Sequence, residues 1–380
     1  MVFTKLSLLG FGGPNAHLAL MLEEIVEKQR WISREHFLHL MAVTNLLPGP
    51  NSSEVAIHIG YTQRGWRGAL LSGLCFVAPT FLIVVFLSHL YFAYGSLPAV
   101  EEILWGVKPV IVAIILGAGF KLARAAITDA KLIAVALTGV LTTIFLPGRE
   151  IGVMMLAAVL AVVIYRERRD ARPPGERNGA PPGPRQEGVE EKKSIFLPII
   201  AGAIITGGSL GQIFWLMLWI GSVLFGGGYM LVALLQPQVV DSLGWLSTGQ
   251  FLDGIAITQA VPGPIVTLVA FVGYSVAGVA GAAVATIGIY LPSFAAVLAV
   301  APHVDRWRQV GVVRAALKGV NAVVAGAILG AALILGHNAV TDVAAILLLA
   351  GALIAVVRFD IAATWIVLCG LLAGLVRYAL

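Results

Sequence analysis

Charge is what this sequence has least of. Only 12% of its 380 residues are Asp, Glu, Lys or Arg, whereas 59% are hydrophobic, and the mean hydropathy is +0.92. A chain so poor in charge cannot cover a water-facing surface, which excludes a soluble globular domain. Cysteine is nearly absent. Cys75 and Cys369 lie in apolar segments without CxxC spacing, which excludes a disulfide framework and a thiol redox pair and predicts two small buried hydrophobes. There is no nucleotide fingerprint and no haem motif, so no cofactor is expected and a membrane-embedded reductase is disfavoured. Lys5 is the only early charge and no small-residue cleavage site follows it, so no cleavable signal peptide is expected.

The apolar residues gather in stretches, roughly 68–94, 104–120, 132–146, 151–165, 277–301, 319–336, 343–357 and 361–376. These lengths suit helices crossing a hydrocarbon core of about 30 Å. The expected fold is an all-α polytopic membrane protein, with the lipid bilayer as its first partner. The net charge of +5 does not indicate nucleic acid, because eight of the 25 basic residues fall in Arg166–Lys193 beside six acids, five prolines and four glycines. That composition predicts a flexible linker. Three segments follow: a transmembrane repeat over 1–164, a cytoplasmic linker over 165–194, and a second transmembrane repeat over 195–380.

The two repeats align by eye. Trp31, Ser33, Phe37 and Pro48-Gly49-Pro50 match Trp245, Ser247, Phe251 and Pro262-Gly263-Pro264 at an offset of 245 − 31 = 214. Upstream, Phe11-Gly12-Gly13-Pro14-Asn15 lies opposite Phe225-Gly226-Gly227-Gly228-Tyr229 at the same offset. Beyond the tripeptides the offset is 273 − 60 = 213, carried by Gly60-Tyr61, Gly65, Gly68, Pro79, Gly106 and Gly117 with their partners. Duplicated halves with Gly and Pro breaks in corresponding hydrophobic segments point to a transporter and to its midplane site.

Basic loops give the orientation. The linker, Lys121, Arg124 and Lys131, and Arg306, Arg308 and Arg314 read as cytoplasmic. One region departs from simple alternation. Both loops around 37–60 are basic (Lys28, Arg30 and Arg34; Arg64 and Arg67), while both matching loops, 237–247 and 274–278, have no Lys or Arg. Re-entrant hairpins with Pro-Gly-Pro near their tips would explain this and would make the repeats inverted in topology; two ordinary kinked spans are the competing reading. Residues 195–230, two apolar pieces around Gly207-Gly208, must then make one net crossing.

Irregular backbone at membrane depth is tolerated only where it is buried in protein or lines a wet cavity. The helix after Pro50 would aim first-turn amides and its positive dipole end at such a cavity, with Asn51, Ser52 and Ser53 as further donors, an arrangement suited to an anion. A proline kink that only shapes packing is the plainer alternative, and duplication counts against it. The Gly-Gly pairs either let backbone approach a ligand or let helices pack closely. Asn51, Glu54 and His58 share one face of a helix whose second-repeat counterparts, near Ile265, Leu268 and Phe271, are apolar. Glu54 and His58 are candidates for coupling or gating, or else a pair satisfying itself at a helix interface. Lys108 and its counterpart Asn321 could face the pathway, although Lys108 could equally snorkel to the interface. Glu24 is either a solvated surface residue or a gate. His36 and His39 beside Glu35 have metal-like spacing, but without a third ligand no metal is expected.

Phe11-Gly12-Gly13-Pro14, Leu47-Pro48-Gly49-Pro50-Asn51, Gly60-Tyr61, Gly65-Trp66 and Pro79 make the chain resemble the chromate ion transporter family, in both halves. The resemblance implies a multi-pass protein of the bacterial inner membrane that exports chromate, with sulfate as a structural analogue; a second copy of the chain is a further candidate partner. The second repeat departs from the motif at Gly228-Tyr229, where the first has Pro14-Asn15. Expelling a dianion through an interior-negative potential releases about 4.6 kcal/mol per 100 mV, so export could run on the potential alone. A sulfate permease, a proton-coupled antiporter and a passive channel remain as alternatives.

Overall fold

A computed structural model describes residues 2–10, 14–44, 47–95, 97–165, 209–225, 227–300 and 311–379. The linker expected over 165–194 falls almost wholly outside these, as do Gly12, Gly13, Gly226 and the piece 195–208. Every regular element among the described residues is helical. The first repeat runs α1 (Val2–Leu9), α2 (Pro14–Met21) with a π-helical continuation (Leu22–Lys28), α3 (Arg34–Thr44), α4 (Asn51–Tyr94), α5 (Pro98–Trp105), α6 (Val107–Ala126), α7 (Ala130–Phe145) and α8 (Glu150–Tyr165). The second repeat follows with α9 (Ser209–Val223), α10 (Met230–Gln236) with its own π-helical continuation (Pro237–Ser242), α11 (Thr248–Ala260), a 3-10 turn (Ile265–Thr267), α12 (Leu268–Val300), α13 (Gly311–Ala339), α14 (Val343–Arg358) and α15 (Ala363–Ala379).

The 44 residues of α4 are not one rod. Arg64 (φ −145°, ψ 30°) and Gly65 (φ 58°, ψ −148°) leave helical geometry, as Ala277 (φ −144°, ψ 31°) and Gly278 (φ 57°, ψ −145°) do in α12. A Cβ placed on Gly60 would strike the Gly68 carbonyl and Ser72, and one on Gly273 would strike the Gly281 carbonyl and Ala285. In a straight helix residues eight apart are separated by about 12 Å, so each chain folds back on itself at the glycine. Gly65 and Gly278 adopt a positive φ that L side chains resist, and Gly60, Gly68, Gly273 and Gly281 let the arms touch.

Each repeat therefore holds a short hairpin followed by a long arm. In the first repeat the hairpin is α3, the break at 47–50 and the short arm 51–63, and Gln63 Nε2 donates to the Trp31 carbonyl at 3.1 Å. Both hairpin ends thus lie at one level. Arms of 11 to 13 residues rise about 20 Å at most, too little to cross the hydrocarbon. The hairpin is re-entrant, and 66–94 is the span that follows it. Lys5 pairs with Glu24 and Phe3 packs on Trp31, so α1 and α2 with its π-helical continuation also fold back on each other. Among the described residues of the first repeat, the helices long and apolar enough to cross are the one that ends in 66–94 and Val100–Ala126, with α7 and α8 as shorter apolar helices. The long arms of the two repeats run antiparallel, since Gly73 near the start of the first abuts Phe294 near the end of the second, and Phe92 near the end of the first stacks on Tyr274 at the second fold-back; this is the inverted relation.

The repeats are interwoven. α6 packs on α14 and α15 while α13 packs on α7 and α8. Gly106 meets Gly370 and Gly374 as Gly319 meets Ala157 and Ala161, and Gly117 meets Val356 as Gly330 meets Thr143. Asp129 and Asp342 cap α7 and α14, each accepting from first-turn amides. Hydrogen bonds hold both carboxyls below the usual range, from the Tyr165 hydroxyl at Asp129 and from the Ala345 amide at Asp342. Cys75 is half-buried, and Cys369 is exposed on α15 rather than buried. On a lipid-facing helix an apolar side chain needs no protein cover, which is where the expectation for Cys369 fails.

Candidate functional site

The two Pro-Gly-Pro breaks are built by the opposite repeat. The Gly49 amide donates to the Leu224 carbonyl at 2.7 Å, and the Gly263 amide donates to the Gly10 carbonyl at 3.3 Å. Leu224 and Gly10 are themselves equivalent, each just before a glycine-rich break. Thr80, which follows Pro79, donates its hydroxyl to the Pro262 carbonyl at 2.9 Å, and Ser293, which follows Pro292, donates to the Pro48 carbonyl at 3.4 Å. Such reciprocal contacts between equivalent residues are the mark of a two-fold relation. They also answer where the polar groups freed by proline go at membrane depth.

Gly49 (φ 146°) and Gly263 (φ 132°) hold positive φ. A Cβ on Gly49 would collide with Ser293 Oγ and Glu54 Oε1, and one on Gly263 with Thr80. Both glycines are therefore required twice over, by backbone and by space.

The expectation that the breaks leave many amides unpaired needs correction. Beyond the glycine amides, those of Ser53 and Glu54 return to the Pro50 carbonyl and that of Thr267 returns to the Pro264 carbonyl. What helical geometry leaves for a ligand are the first-turn amides of Ser52, and of Ile265 and Val266. The missing residue of the second repeat has a physical reading here. A three-residue 3-10 turn, Ile265–Thr267, rises about 6 Å, as much as four α-helical residues.

Side chains at the breaks divide by exposure. Pro48, Asn51, Pro262 and Gly263 are half-buried, whereas Gly49, Pro50, Ser52, Ser53 and Pro264 are buried. The Thr44 hydroxyl donates to Asn51 Oδ1 at 2.6 Å. Glu54 is fully buried, with neither carboxylate oxygen in hydrogen-bonding geometry. Nearby, the buried Ser53 Oγ and Tyr290 OH face each other, and His58 Nδ1 is buried without a hydrogen-bond partner. The proposed Glu54–His58 pair does not form. Pro14 and Asn15 begin α2. In the equivalent second-repeat break, Gly227 has φ 99° and a Cβ on Gly228 would strike Ile265, so Gly228 packs directly against the second break. Tyr229 OH accepts from Gln259 Nε2 at 2.8 Å, tying that break to the end of α11.

Lys108 is not brought to the breaks. Its Nζ stands 3.8 Å from Asp253 Oδ1 on α11, near Gly249, and Tyr91 OH donates to Asp253 Oδ2 at 2.8 Å. From Gly249 to Pro262 is about 20 Å along the helix. Asn321 is half-buried on α13. Glu24, in the first π-helix, binds Lys5 at 3.0 Å and Lys28 at 3.9 Å and so ties α1 to the chain beyond the break. Sequence reasoning missed Asp253, Tyr91, Thr80, Ser293 and Tyr290. Two signals were present: Asp253 is an acid inside an apolar helix, and a hydroxyl follows the matched proline in both repeats.

The chromate transporter family model matches residues 1–164 and 211–375. A chromate transport protein of Cupriavidus metallidurans is 31% identical over 387 residues, covering 100% of this chain and 92% of that protein. One of Pseudomonas aeruginosa is 30% identical over 304 residues, covering 77% and 70%. An uncharacterized transporter of Methanocaldococcus jannaschii is 28% identical over 315 residues, covering 80% and 75%. No solved structure matches the chain.

Proposed function

Since the chain belongs to the chromate transporter family, we propose that it moves chromate out of the cytoplasm across a bacterial inner membrane, holding the anion at the two Pro-Gly-Pro breaks. The observation that carries this reading is the reciprocal frame in which each break is fixed by the other repeat. A rigid pair of helix N-termini at membrane depth offers amides to a tetrahedral dianion without the cost of reorganising them. Asn51 supplies the half-buried polar side chain. Gly12, Gly13, Pro14 and Asn15, with Gly226, Gly227 and Gly228, are assigned to the same site from their place in the sequence, and Gly228 packs on Ile265 at the second break. Lys108 would leave its loose pairing with Asp253 to meet an anion on its way, with Asn321 in the equivalent place on α13. Ser52 and Ser53 shape the first turn from behind, and Glu24, through Lys5, fixes the fold-back of α1 on the π-helical continuation of α2.

Inverted repeats around one site suit alternating access by rocking one repeat against the other. Export of a dianion is favoured by an interior-negative potential. A sulfate permease is the second reading, supported by the absence of any soft or redox-active ligand at the breaks among the described residues. Anion flux in oriented vesicles with the potential clamped tests both. Chromate flux out of the cytoplasmic face that grows with interior-negative potential supports export, whereas flux indifferent to the potential or confined to sulfate removes it.

A further inference from the structure

Glu54 is the feature the transport reading leaves unused. It lies in the first turn of the short arm, fully buried, with no charged partner among the described residues and with the Ser293 hydroxyl as the polar group beside its oxygens. Its Oε1 and Ser293 Oγ both abut Gly49, so the carboxylate sits against the centre of the first break. Among the described residues no Lys or Arg forms an ion pair with it. The groups around it are few. His58 is one turn on along the same arm, Ser293 and Tyr290 approach from α12, with Tyr290 beside Ser53, and the buried His17 of α2 packs edge-on to Phe76 of the long arm. His36 of α3, which is exposed at the surface end of the hairpin, lies within electrostatic reach of His58. His36, His58 and Glu54 thus form a descending series from the hairpin's open end to its tip.

An acid in the first turn of a helix ordinarily serves as the anion for that helix's positive end. Here the same first turn carries the Ser52 amide assigned to the substrate. A dianion there and a charged Glu54 would be two like charges in a low-dielectric site, which cannot both be held without a cation. We propose that Glu54 takes up one proton when the oxyanion binds at the first break, so that proton and dianion travel together, the proton arriving by way of His36 and His58. The inference rests on the anion-site reading above and sets the coupling as cotransport, in contrast to antiport. Antiport would need the proton to leave as the anion arrives, which like-charge repulsion opposes. The second repeat, with apolar residues and Thr267 at the equivalent turn, carries no such group, so one proton accompanies each anion and the transported complex carries one net negative charge.

The test is calorimetry of chromate binding to the purified full chain, in buffers of different ionisation enthalpy, at a pH where chromate is the dianion. Wild type should take up about one proton per chromate bound. Glu54→Gln, a neutral isostere of the protonated acid, should bind chromate with no linked proton, and His58→Gln should keep the linked proton. In vesicles, the reversal potential should report one net charge for wild type and two for Glu54→Gln. Chromate binding by wild type without proton uptake overturns the inference while leaving the anion site standing, and so does linkage that persists in Glu54→Gln or vanishes only in His58→Gln. No binding of chromate or sulfate by wild type overturns the anion site and the inference together. The wild-type measurement decides the matter even if Glu54→Gln folds poorly.

Discussion

Gly49 and Leu224 lie in different repeats, and the amide of the first donates to the carbonyl of the second at 2.7 Å. With its mate from Gly263 to Gly10, this bond makes each break a property of the pair of repeats. Neither half could hold its own tripeptide in place, because the acceptor comes from elsewhere.

Replacing either glycine should therefore abolish transport. Gly49→Val or Gly263→Val places a β-branched residue at positive φ, at a cost of about 1–3 kcal/mol before any clash is counted. It also drives a side chain into Ser293 and Glu54, or into Thr80. Flux should fall at least about tenfold with much of the protein still inserted in the membrane. Wild-type flux in both variants would remove the breaks from the mechanism.

The hydroxyls that follow the matched prolines should matter in parallel. Thr80→Val and Ser293→Ala each orphan a proline carbonyl at a break, a loss of about 1–3 kcal/mol. Thermal unfolding midpoints in detergent should drop in both, with the larger drop for Thr80→Val, whose bond is 2.9 Å against 3.4 Å. Unchanged midpoints would show that the breaks are held by packing alone.

Topology was half legible. Loop charges bracketing 37–60 already suggested a hairpin, but only the contact of Gln63 with the Trp31 carbonyl separates it from two kinked spans. Gly60, Gly65 and Gly68 could be aligned with their partners, yet nothing in one-dimensional spacing says that they form a fold-back, since the residues on either side are ordinary helix formers. Contacts between Lys108 and Asp253, or Glu54 and Ser293, join residues 145 and 239 positions apart, beyond the reach of any local pattern. Single cysteines at Gln63 and Val276, in a background lacking Cys75 and Cys369, should label from opposite faces of the membrane, and Trp31→Cys should label from the same face as Gln63→Cys. Labelling of Gln63→Cys and Val276→Cys from one face would contradict the inverted arrangement.

Lys108 has two roles to separate, counter-ion and anion contact. Its pair with Asp253 is mostly buried, with side-chain exposures of 22% and 8%, so Lys108→Met should destabilise by about 3–5 kcal/mol through the stranded carboxylate. Adding Asp253→Asn should restore the unfolding midpoint. It should not restore chromate affinity if Lys108 meets the anion in passing. Recovery of both stability and flux in the double variant would leave Lys108 a structural residue only.

Sulfate should compete with chromate. The contacts assigned to the anion are first-turn amides at Ser52, Ile265 and Val266, the Asn51 side chain and, in passing, Lys108. All read charge and tetrahedral shape, and none can tell chromium from sulfur. Two dianions of one geometry should therefore share the site, while a monoanion of similar size gains less from the helix ends and should compete less well. The measurement is chromate flux in vesicles against rising sulfate and against a tetrahedral monoanion, for wild type and for Asn51→Ala. Sulfate should inhibit at concentrations comparable to chromate, and Asn51→Ala should weaken both dianions together. If sulfate fails to compete even in large excess, amides at the breaks are not what selects the substrate, and a recognition element beyond charge and shape must lie elsewhere on the path.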